Sequence, residues 1–310
     1  MPPGGIGQGR CVRCWARRLS IVQLDAGSPL VQGPEFVKGH GTENDFVVLP
    51  DPRGELKLTE ARVRALCDRR QGLGADGVLR VVRAGDVSDA PATVSEDIWF
   101  MDYRNADGSV AEMCGNGVRV FARYLVEAGL ARSGEFSLGT RAGVRTVITH
   151  ADGRVSVDMG PASVLGESTV SAGEHTWDGI AVDLGNPHLA CVTTAELGTL
   201  DLSTAPLYDT GFFPNGVNVE FVQRKSAERV RMRVHERGVG ETRSCGTGTV
   251  AATVAALRED GDDTGRRIVE IPGGTVEVEI TEATSTLTGP AELVARGWLG
   301  AEWWQHADGG

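Results

Sequence analysis

The sequence lacks a long hydrophobic run, because no apolar stretch in its 310 residues approaches the roughly 18 residues that a membrane-spanning helix needs. No apolar segment near its start is long enough for a signal peptide. Excess positive charge is missing as well: the formal net charge at pH 7 is −11, whereas binding to nucleic-acid phosphates needs a basic surface. We therefore expect neither a membrane nor a nucleic acid as a partner.

Cysteine is sparse and scattered. The six cysteines stand at positions 11, 14, 67, 114, 191 and 245, without the dense spacing of a disulfide scaffold, which indicates a reducing, cytoplasmic location. Cys11 and Cys14 have no second Cys or His pair nearby, so we interpret them as an incidental pair rather than a metal or redox site. No lysine stands in a Schiff-base context and no His/Asp cluster has metal-ligand spacing, so we expect no cofactor and no metal.

The length and the apolar fraction of 41% fit a soluble globular protein of two domains. Residues 1–34 are rich in Gly, Pro and Arg, and we predict that they form a disordered N-terminal extension. We expect a first domain at residues 35–160 and a second at residues 161–289. A last strand within residues 290–310 is expected to return to the first domain.

A Cys-Gly-x-Gly motif occurs twice, at Cys114 and again 131 positions later at Cys245. Each motif is followed by an apolar segment, which is typical of a helix buried on all sides. The repeat extends further, since Asn105 and Glu236 each stand nine residues before their cysteine. The sequence therefore predicts an α+β fold of two homologous domains. Each would be a strand-rich layer wrapped around a buried central helix, with the active site in the cleft between them.

Two thiols at helix N-termini suit proton transfer at one carbon atom. The backbone N–H groups and the helix dipole favour an anion there, whether a thiolate or a substrate carboxylate. A thiolate removes a proton from one face of the carbon and a thiol returns one to the other face, which inverts the centre. Because a free thiol has a pKa of about 8.5, we expect the helix N-termini to promote ionisation.

Three other functions can be compared with the two motifs. A thioredoxin-like redox protein needs a Cys-x-x-Cys opening a helix, and neither helix has one. A cysteine hydrolase pairs one Cys with a His and does not need a second Cys-Gly-x-Gly. A non-enzymatic amino-acid-binding module stays open, since it would use the two helix ends without either thiol.

Six separate motifs between Phe36 and the C-terminus carry a family resemblance. They are His40-Gly-Thr-Glu-Asn-Asp-Phe46, Tyr103-Arg-Asn-Ala-Asp-Gly-Ser109, Met113-Cys-Gly-Asn-Gly117, Gly185-Asn-Pro-His188, Gly216-Val-Asn218 and the run from Glu236 to Gly248. Together they resemble the diaminopimelate epimerases, which interconvert LL- and meso-diaminopimelate without a cofactor on the way to lysine and peptidoglycan. The resemblance also implies a homodimer.

The resemblance implies roles for individual residues. Cys114 and Cys245 are the expected acid/base pair, and His188 and Glu236 are expected to tune their pKa, although a core role for His188 stays open. The substrate-binding residues that it implies are Asn44, Asn105, Gly115, Asn116, Asn186, Asn218, Glu236, Arg237, Gly246 and Thr247. Arg237 suits the distant carboxylate of a substrate with two amino-acid ends, because a guanidinium binds a carboxylate through two parallel hydrogen bonds.

The sequence departs from the family pattern at Gly77, where the family often has a glutamine that helps to contact substrate. The N-terminal extension also lies outside the pattern. Proline racemase and hydroxyproline epimerase are similar in fold and thiol pair, so they are the alternative within the same class. Their substrates lack a second amino-acid end, and Arg237 beside Glu236 therefore favours diaminopimelate.

Overall fold

The computed structural model of the protein describes residues 32–308. Cys11 and Cys14 lie outside this range, as does the predicted extension apart from residues 32–34, which open the first strand. The helices are α1 Glu60–Cys67, α2 Gly115–Glu127, α3 Gly246–Glu259 and α4 Ala301–His306. The strands are β1 Gln32–Gly41, β2 Asn44–Pro50, β3 Gly77–Arg83, β4 Trp99–Asn105, β5 Glu135–Thr140, β6 Gly143–Thr149, β7 Arg154–Gly160, β8 Ser163–Ala172, β9 His175–Asp183, β10 Pro187–Thr193, β11 Leu207–Tyr208, β12 Asn218–Arg224, β13 Arg229–Glu236, β14 Gly240–Thr242, β15 Gly265–Ile271, β16 Gly274–Ile280, β17 Ser285–Pro290 and β18 Glu292–Gly300.

The strand pairing repeats along the chain. In the first half β1 to β7 pair in sequence order, with β2–β3 and β4–β5 parallel and the other pairs antiparallel. In the second half β9, β10, β12, β13, β15, β16 and β17 pair in the same pattern, with β10–β12 and β13–β15 parallel. Together with one helix inside each layer, this repetition confirms the predicted α+β architecture of two homologous halves.

The two halves are joined through their last strands. β7 pairs antiparallel with β17, so the strands form one continuous sheet that curls around both helices. The C-terminal strand β18 pairs antiparallel with β1, at the opposite end of the first half. Among residues 32–308, no helix has both the length and the apolarity needed to cross a membrane.

Each long helix lies at the centre of its own half. α2 connects the parallel strands β4 and β5, and α3 occupies the matching position between β13 and β15. From Gly246 to Leu257 every residue of α3 except Thr247 is buried. Small Ala and Val side chains let the surrounding strands approach this helix closely, since a helix enclosed on all sides needs an apolar surface all round.

Leu287 on β17 packs between the starts of the two helices. The side chain is completely buried, and its Cδ2 would lie 3.2 Å from a Cβ added to Gly115 and 3.4 Å from one added to Gly246. The shared strand therefore supports both helix N-termini with one side chain.

We expect Leu287→Ala to lower the free energy of unfolding by about 2–5 kcal/mol, because it removes buried methyl groups and leaves a cavity under both helices. Denaturant unfolding followed by circular dichroism measures this loss. Leu165→Ala is the matched control, since Leu165 is 52% exposed, and it should change the free energy by less than about 0.5 kcal/mol. Similar losses in both variants would contradict a central role for Leu287.

Candidate active site

One cavity of about 860 Å³ is lined by both cysteines. The predicted site residues that line it are Asn44, Asn105, Cys114, Gly115, Asn116, Asn186, Glu236, Cys245, Gly246 and Thr247. His188, Asn218 and Arg237 do not line it. Within the described range, no three His, Cys, Asp or Glu side chains are grouped as ligands for a metal ion.

The two cysteines are the N-cap residues of α2 and α3. Both have extended backbone, with φ −142° and ψ 118° for Cys114 and φ −129° and ψ 113° for Cys245. The Cys114 Sγ accepts a hydrogen bond from the Gly117 N–H at 3.5 Å, and the Cys245 Sγ accepts one from the Gly248 N–H at 3.4 Å. The Cys-Gly-x-Gly spacing thus places each sulfur over unsatisfied N–H groups of a first helical turn.

The glycine after each cysteine allows the two helix starts to touch. A Cβ on Gly246 would lie 3.5 Å from the Gly115 Cα and 3.7 Å from the Gly115 N. A Cβ on Gly115 would come within 2.9 Å of the Met159 side chain. The added carbon at Gly246 would meet the other helix start at ordinary van der Waals distance, so the two thiol-bearing turns lie directly against each other.

Asn44 connects the Cys114 thiol to the wall of the cavity. Its Oδ1 accepts a hydrogen bond from the Cys114 Sγ at 3.6 Å and one from the Asn116 Nδ2 at 3.2 Å. Its Nδ2 donates to the Asp76 carboxylate at 2.8 Å. Because Asp76 accepts from the Asn44 Nδ2, it orients the Asn44 amide with its oxygen toward the Cys114 thiol. Sequence reasoning missed Asp76, because an acidic residue in a Gly-rich loop is most often a solvated turn residue.

The surroundings of Cys245 contain a carboxylate. The Cys245 Sγ lies 3.6 Å from the Thr247 Oγ1, which accepts a hydrogen bond from the Asn186 Nδ2 at 3.4 Å. Glu236 accepts a hydrogen bond from the Thr242 hydroxyl. Burial raises the pKa of Glu236, and this hydrogen bond opposes that rise.

His188 and Glu220 form a buried pair behind α3. The His188 Nδ1 lies 2.7 Å from the Glu220 Oε1, and both side chains are 0% exposed. The His188 Nε2 and the Glu220 Oε2 have no hydrogen-bond partner among the described residues. Burial raises the pKa of Glu220 to about 7. A Cβ on Gly248 would lie 2.8 Å from the Glu220 Oε1, so this pair contacts the first turn of α3. Sequence reasoning missed Glu220, since a single acid in an apolar strand gives no motif.

Asn218 and Arg237 lie beside the cavity at the ends of β12 and β13. The Asn218 Oδ1 accepts a hydrogen bond from the Arg237 N–H at 3.0 Å, and its Nδ2 donates to the Pro187 carbonyl at 3.1 Å. The Arg237 guanidinium donates to the Asn215 carbonyl at 2.9 Å. Its charge is paired with no carboxylate of residues 32–308.

A buried polar network links the two halves beneath the cavity. The Asn116 Nδ2 donates to the Ser244 Oγ at 3.0 Å, and this hydroxyl lies 2.6 Å from the Thr42 Oγ1. The Arg119 Nη2 donates to the same Thr42 oxygen at 3.1 Å. Thr42 and Glu43 have φ angles of 51° and 64°, as in the type I′ turns that join antiparallel strands. No motif in the sequence assigns a role to Thr42, Arg119 or Ser244, although a charge inside an apolar helix is a signal for Arg119.

Burial dominates the pKa of both thiols. It raises the pKa of Cys114, against the N–H groups of Gly117 and Asn116. It raises the pKa of Cys245 well above the ordinary value, and the carboxylates of Glu236 and Glu220 add to that rise. The expected promotion of ionisation by the helix N-termini is therefore outweighed here, because burial disfavours the charged thiolate.

Gly77 has no space for a side chain. A Cβ there would lie 2.6 Å from the Arg104 carbonyl oxygen and 2.8 Å from the Tyr103 Cε2. Strand β3 begins at Gly77, which pairs with Asn105 on β4. The neighbouring Asp76 is the residue of this loop that lines the cavity. A glutamine at position 77 would require β3 and β4 to move apart.

Solved structures of other proteins share this fold. A hydroxyproline epimerase from Agrobacterium vitis with bound trans-4-hydroxy-L-proline aligns with a TM-score of 0.60 at 16% identity, covering 86% of this chain and 92% of that one. A methylitaconate-delta-isomerase aligns with a TM-score of 0.54 at 13% identity, covering 87% and 96%. At such identities the likeness concerns the fold alone.

Sequence comparison reaches much higher identity. The diaminopimelate epimerase of Rhodococcus jostii (strain RHA1) is 58% identical over 284 residues, which is 87% of this chain and 98% of that protein. The diaminopimelate epimerase of Mycolicibacterium smegmatis (strain ATCC 700084 / mc(2)155) is 57% identical over 290 residues, or 89% and 99%. The sequence profile described as diaminopimelate epimerase matches residues 36–165 and 180–294. The chain therefore belongs to the diaminopimelate epimerase family.

Proposed function

We propose that this protein epimerises LL-diaminopimelate to meso-diaminopimelate for lysine and peptidoglycan synthesis, with Cys114 and Cys245 as the two bases and no cofactor. The observation that carries the proposal is the pair of N-cap thiols on touching helices that line one cavity. Family membership supports the substrate. The arrangement of the thiols supports the mechanism.

The reaction moves one proton out and one proton in. The thiolate of one cysteine takes the α-proton, and the electron pair of the broken C–H bond passes into the α-carboxylate as a carbon–carbon double bond forms. The thiol of the other cysteine then gives its proton to the opposite face of the α-carbon, leaving that sulfur as a thiolate. Backbone N–H groups at Gly115, Asn116, Gly246 and Thr247 would stabilise the extra charge on the carboxylate, because they are fixed in place before the charge develops.

The polar residues around the cysteines suit a substrate with a second amino-acid end. The amides of Asn44, Asn105 and Asn186 line the cavity, and they offer both donors and acceptors for an ammonium and a carboxylate. Arg237 is the proposed partner of the distal carboxylate, because its guanidinium holds only a backbone carbonyl. Asn218 holds the Arg237 backbone, and Glu236 and His188 are the proposed groups that tune the thiols.

We further propose that the enzyme acts in the cytoplasm as a homodimer. The scattered cysteines, without disulfide spacing, favour a reducing compartment. The homodimer is what the family resemblance implies.

Cys114→Ala and Cys245→Ala should each lower the kcat for LL-diaminopimelate at least about a hundredfold, because each face of the α-carbon needs its own proton carrier. Polarimetry or chiral chromatography of the product measures the rate. Cys191→Ala is the matched control, since Cys191 is buried but does not line the cavity, and it should keep wild-type activity. Full activity in either Cys114→Ala or Cys245→Ala would contradict the two-base mechanism. Activity of the wild-type protein on proline or hydroxyproline, but not on diaminopimelate, would contradict the proposed substrate.

Arg237→Lys should lower kcat/KM for diaminopimelate about tenfold or more, because an ammonium cannot reproduce the two parallel hydrogen bonds of a guanidinium. Steady-state kinetics measures the change. Arg231→Lys is the control: Arg231 lies on β13, the strand that Arg237 directly follows, but it pairs with Glu270 at 2.9 Å. If Arg237→Lys keeps the wild-type kcat/KM, another group binds the distal carboxylate.

Oxidation in air at alkaline pH should join Cys114 to Cys245 and abolish activity, and dithiothreitol should restore it. The helix starts already touch, so a small closure would bring the two sulfurs together, and alkaline pH is needed because burial raises the pKa of both thiols. Peptide mapping identifies the bridge. Loss of activity with both cysteines still free would refute the predicted apposition of the sulfurs.

A further inference from the structure

The repeated fold provides two equivalent pairs of turns near the cavity. The β1–β2 turn and the β15–β16 turn form the first pair, and the β9–β10 turn and the β5–β6 turn form the second. They are equivalent because β1, β2, β5 and β6 have the same places in the first half as β9, β10, β15 and β16 have in the second. Each pair takes one turn from each half, so the two sides of the cavity can be compared directly.

The first pair of turns is closed. The Thr42 Oγ1 on the β1–β2 turn lies 2.6 Å from the Ser244 Oγ, and the neighbouring Glu43 forms an ion pair with Arg243. A Cβ added to Gly273 on the β15–β16 turn would collide with the Thr42 carbonyl oxygen. The two halves are therefore in direct contact on this side, which leaves no passage between them.

The second pair of turns is open. Among the described residues, a Cβ added to Gly185 on the β9–β10 turn, or to Gly143 beside the β5–β6 turn, would meet no atom within 4 Å beyond its chain neighbours. No hydrogen bond joins these two turns within residues 32–308. Ala142, Leu184 and Gly185 nevertheless line the cavity. We call the gap between residues 142–143 and residues 184–186 the mouth of the cavity.

Arg145 stands on β6, two residues after Gly143 at the mouth. It lines the cavity and lies on the same face of the strand as Val147, whose side chain is 0% exposed. The repeat has Val276 at the equivalent place in β16, 131 positions later, and that side chain is 3% exposed. The first half thus has a cation where the second half has an apolar core residue.

Arg145 differs from the other cations of the cavity in having no ion pair. Within the part of the chain that the structure describes, the arginines that line the cavity are Arg69, Arg145 and Arg243. Arg69 pairs with Asp45 at 2.7 Å, and Arg243 pairs with Glu43.

The guanidinium of Arg145 has spare donors. Its Nη1 donates to the Val144 carbonyl at 3.2 Å. Its Nε is shielded from solvent and has no hydrogen-bond partner among residues 32–308. Because a guanidinium carries five N–H donors and a fixed charge, Arg145 is able to bind an anion inside the mouth.

We propose that Arg145 is a substrate-binding residue whose guanidinium binds the distal carboxylate of diaminopimelate at the mouth. This inference rests on the proposed function. There the α-carboxylate is assigned to the backbone N–H groups of the two helix starts, which leaves the distal carboxylate for cationic side chains. A carboxylate accepts about four hydrogen bonds, so Arg145 and Arg237 can share it.

The charges around Arg145 make this contact a source of specificity. The carboxylates that line the cavity belong to Glu43, Asp76, Asp107, Glu112, Glu236 and Glu241. They attract the ammonium group of an amino-acid end and repel its carboxylate. A cation at the mouth offsets this repulsion locally. It therefore favours a substrate whose outer end carries a carboxylate over one that ends in an amine alone.

The test is the steady-state kinetics of Arg145→Met with LL-diaminopimelate. KM should rise about tenfold or more while kcat changes less than about twofold, because the lost contact binds substrate and transition state alike. Arg145→Lys should keep KM within about threefold of the wild-type value, since it retains the charge. About 1 M salt should raise the wild-type KM toward that of Arg145→Met, and it should change the variant little.

Arg154→Met is the matched control, because it removes the same charge from the first half. Arg154 pairs with Asp152 at 2.7 Å and does not line the cavity, so KM should stay at the wild-type value. Arg145→Gln provides the same test if circular dichroism shows that Arg145→Met does not fold. An active wild-type protein whose KM is kept by the uncharged variant would overturn this inference alone. A wild-type protein inactive on diaminopimelate would overturn the proposed function and this inference with it.

The position of the mouth has its own test. Ala142→Trp places a large ring in the gap and should lower kcat/KM without changing the far-UV circular dichroism. Thr275→Trp is the control, because Thr275 is exposed beside the closed pair of turns and does not line the cavity, and it should keep the wild-type kcat/KM. Equal effects of the two substitutions would place the entrance elsewhere and remove Arg145 from the path of the substrate.

Discussion

The contact between the N-termini of two buried helices governs the rest of this structure. Gly115 and Gly246 face each other there, since a Cβ on Gly246 would lie 3.5 Å from the Gly115 Cα. The duplicated strands enclose one helix each, and the β7–β17 pair holds the halves together beneath this contact. The hydrogen bond from Asn116 to Ser244 and the contact between the Ser244 and Thr42 hydroxyls connect the two halves on the buried side. Because each helix begins directly after a cysteine, fixing the helix ends also fixes where the thiols stand.

The thiols at these two helix N-termini are less hydrated than free thiols in water. Burial raises the pKa of both cysteines, even though each sulfur accepts a hydrogen bond from an N–H group of its helix. The two-base reaction proposed above has to form a thiolate where burial favours the thiol form of both cysteines. The charged neighbours differ between the two halves, since Glu236 stands where the first half has Asn105.

Much of this arrangement was predictable from the sequence because it depends on local patterns. The doubled Cys-Gly-x-Gly motif predicted two helices with cysteine N-caps, and the offset between the copies predicted two homologous halves. Asp76, Ser244 and Glu220 were not predictable, because each acts through a neighbour from another part of the chain and belongs to no periodic or motif pattern. Arg119 was visible as a charge in an apolar helix, but its neighbours Thr42 and Pro290 become adjacent only in the folded chain. The outward position of Arg237 likewise depends on a contact with Asn215 that no spacing reveals.

The most direct test of two-thiol catalysis is the early isotope content of substrate and product when LL-diaminopimelate reacts in D₂O. Two bases predict that newly formed meso-diaminopimelate carries deuterium at the inverted carbon, while the remaining LL isomer still carries hydrogen, because the thiol that donates has exchanged with solvent and the thiolate that accepts has not returned its proton. Nuclear magnetic resonance or mass spectrometry at a few per cent conversion measures both species. Product that keeps the substrate hydrogen, or deuterium that enters the recovered LL isomer as fast as product forms, would contradict proton transfer by two opposed cysteines.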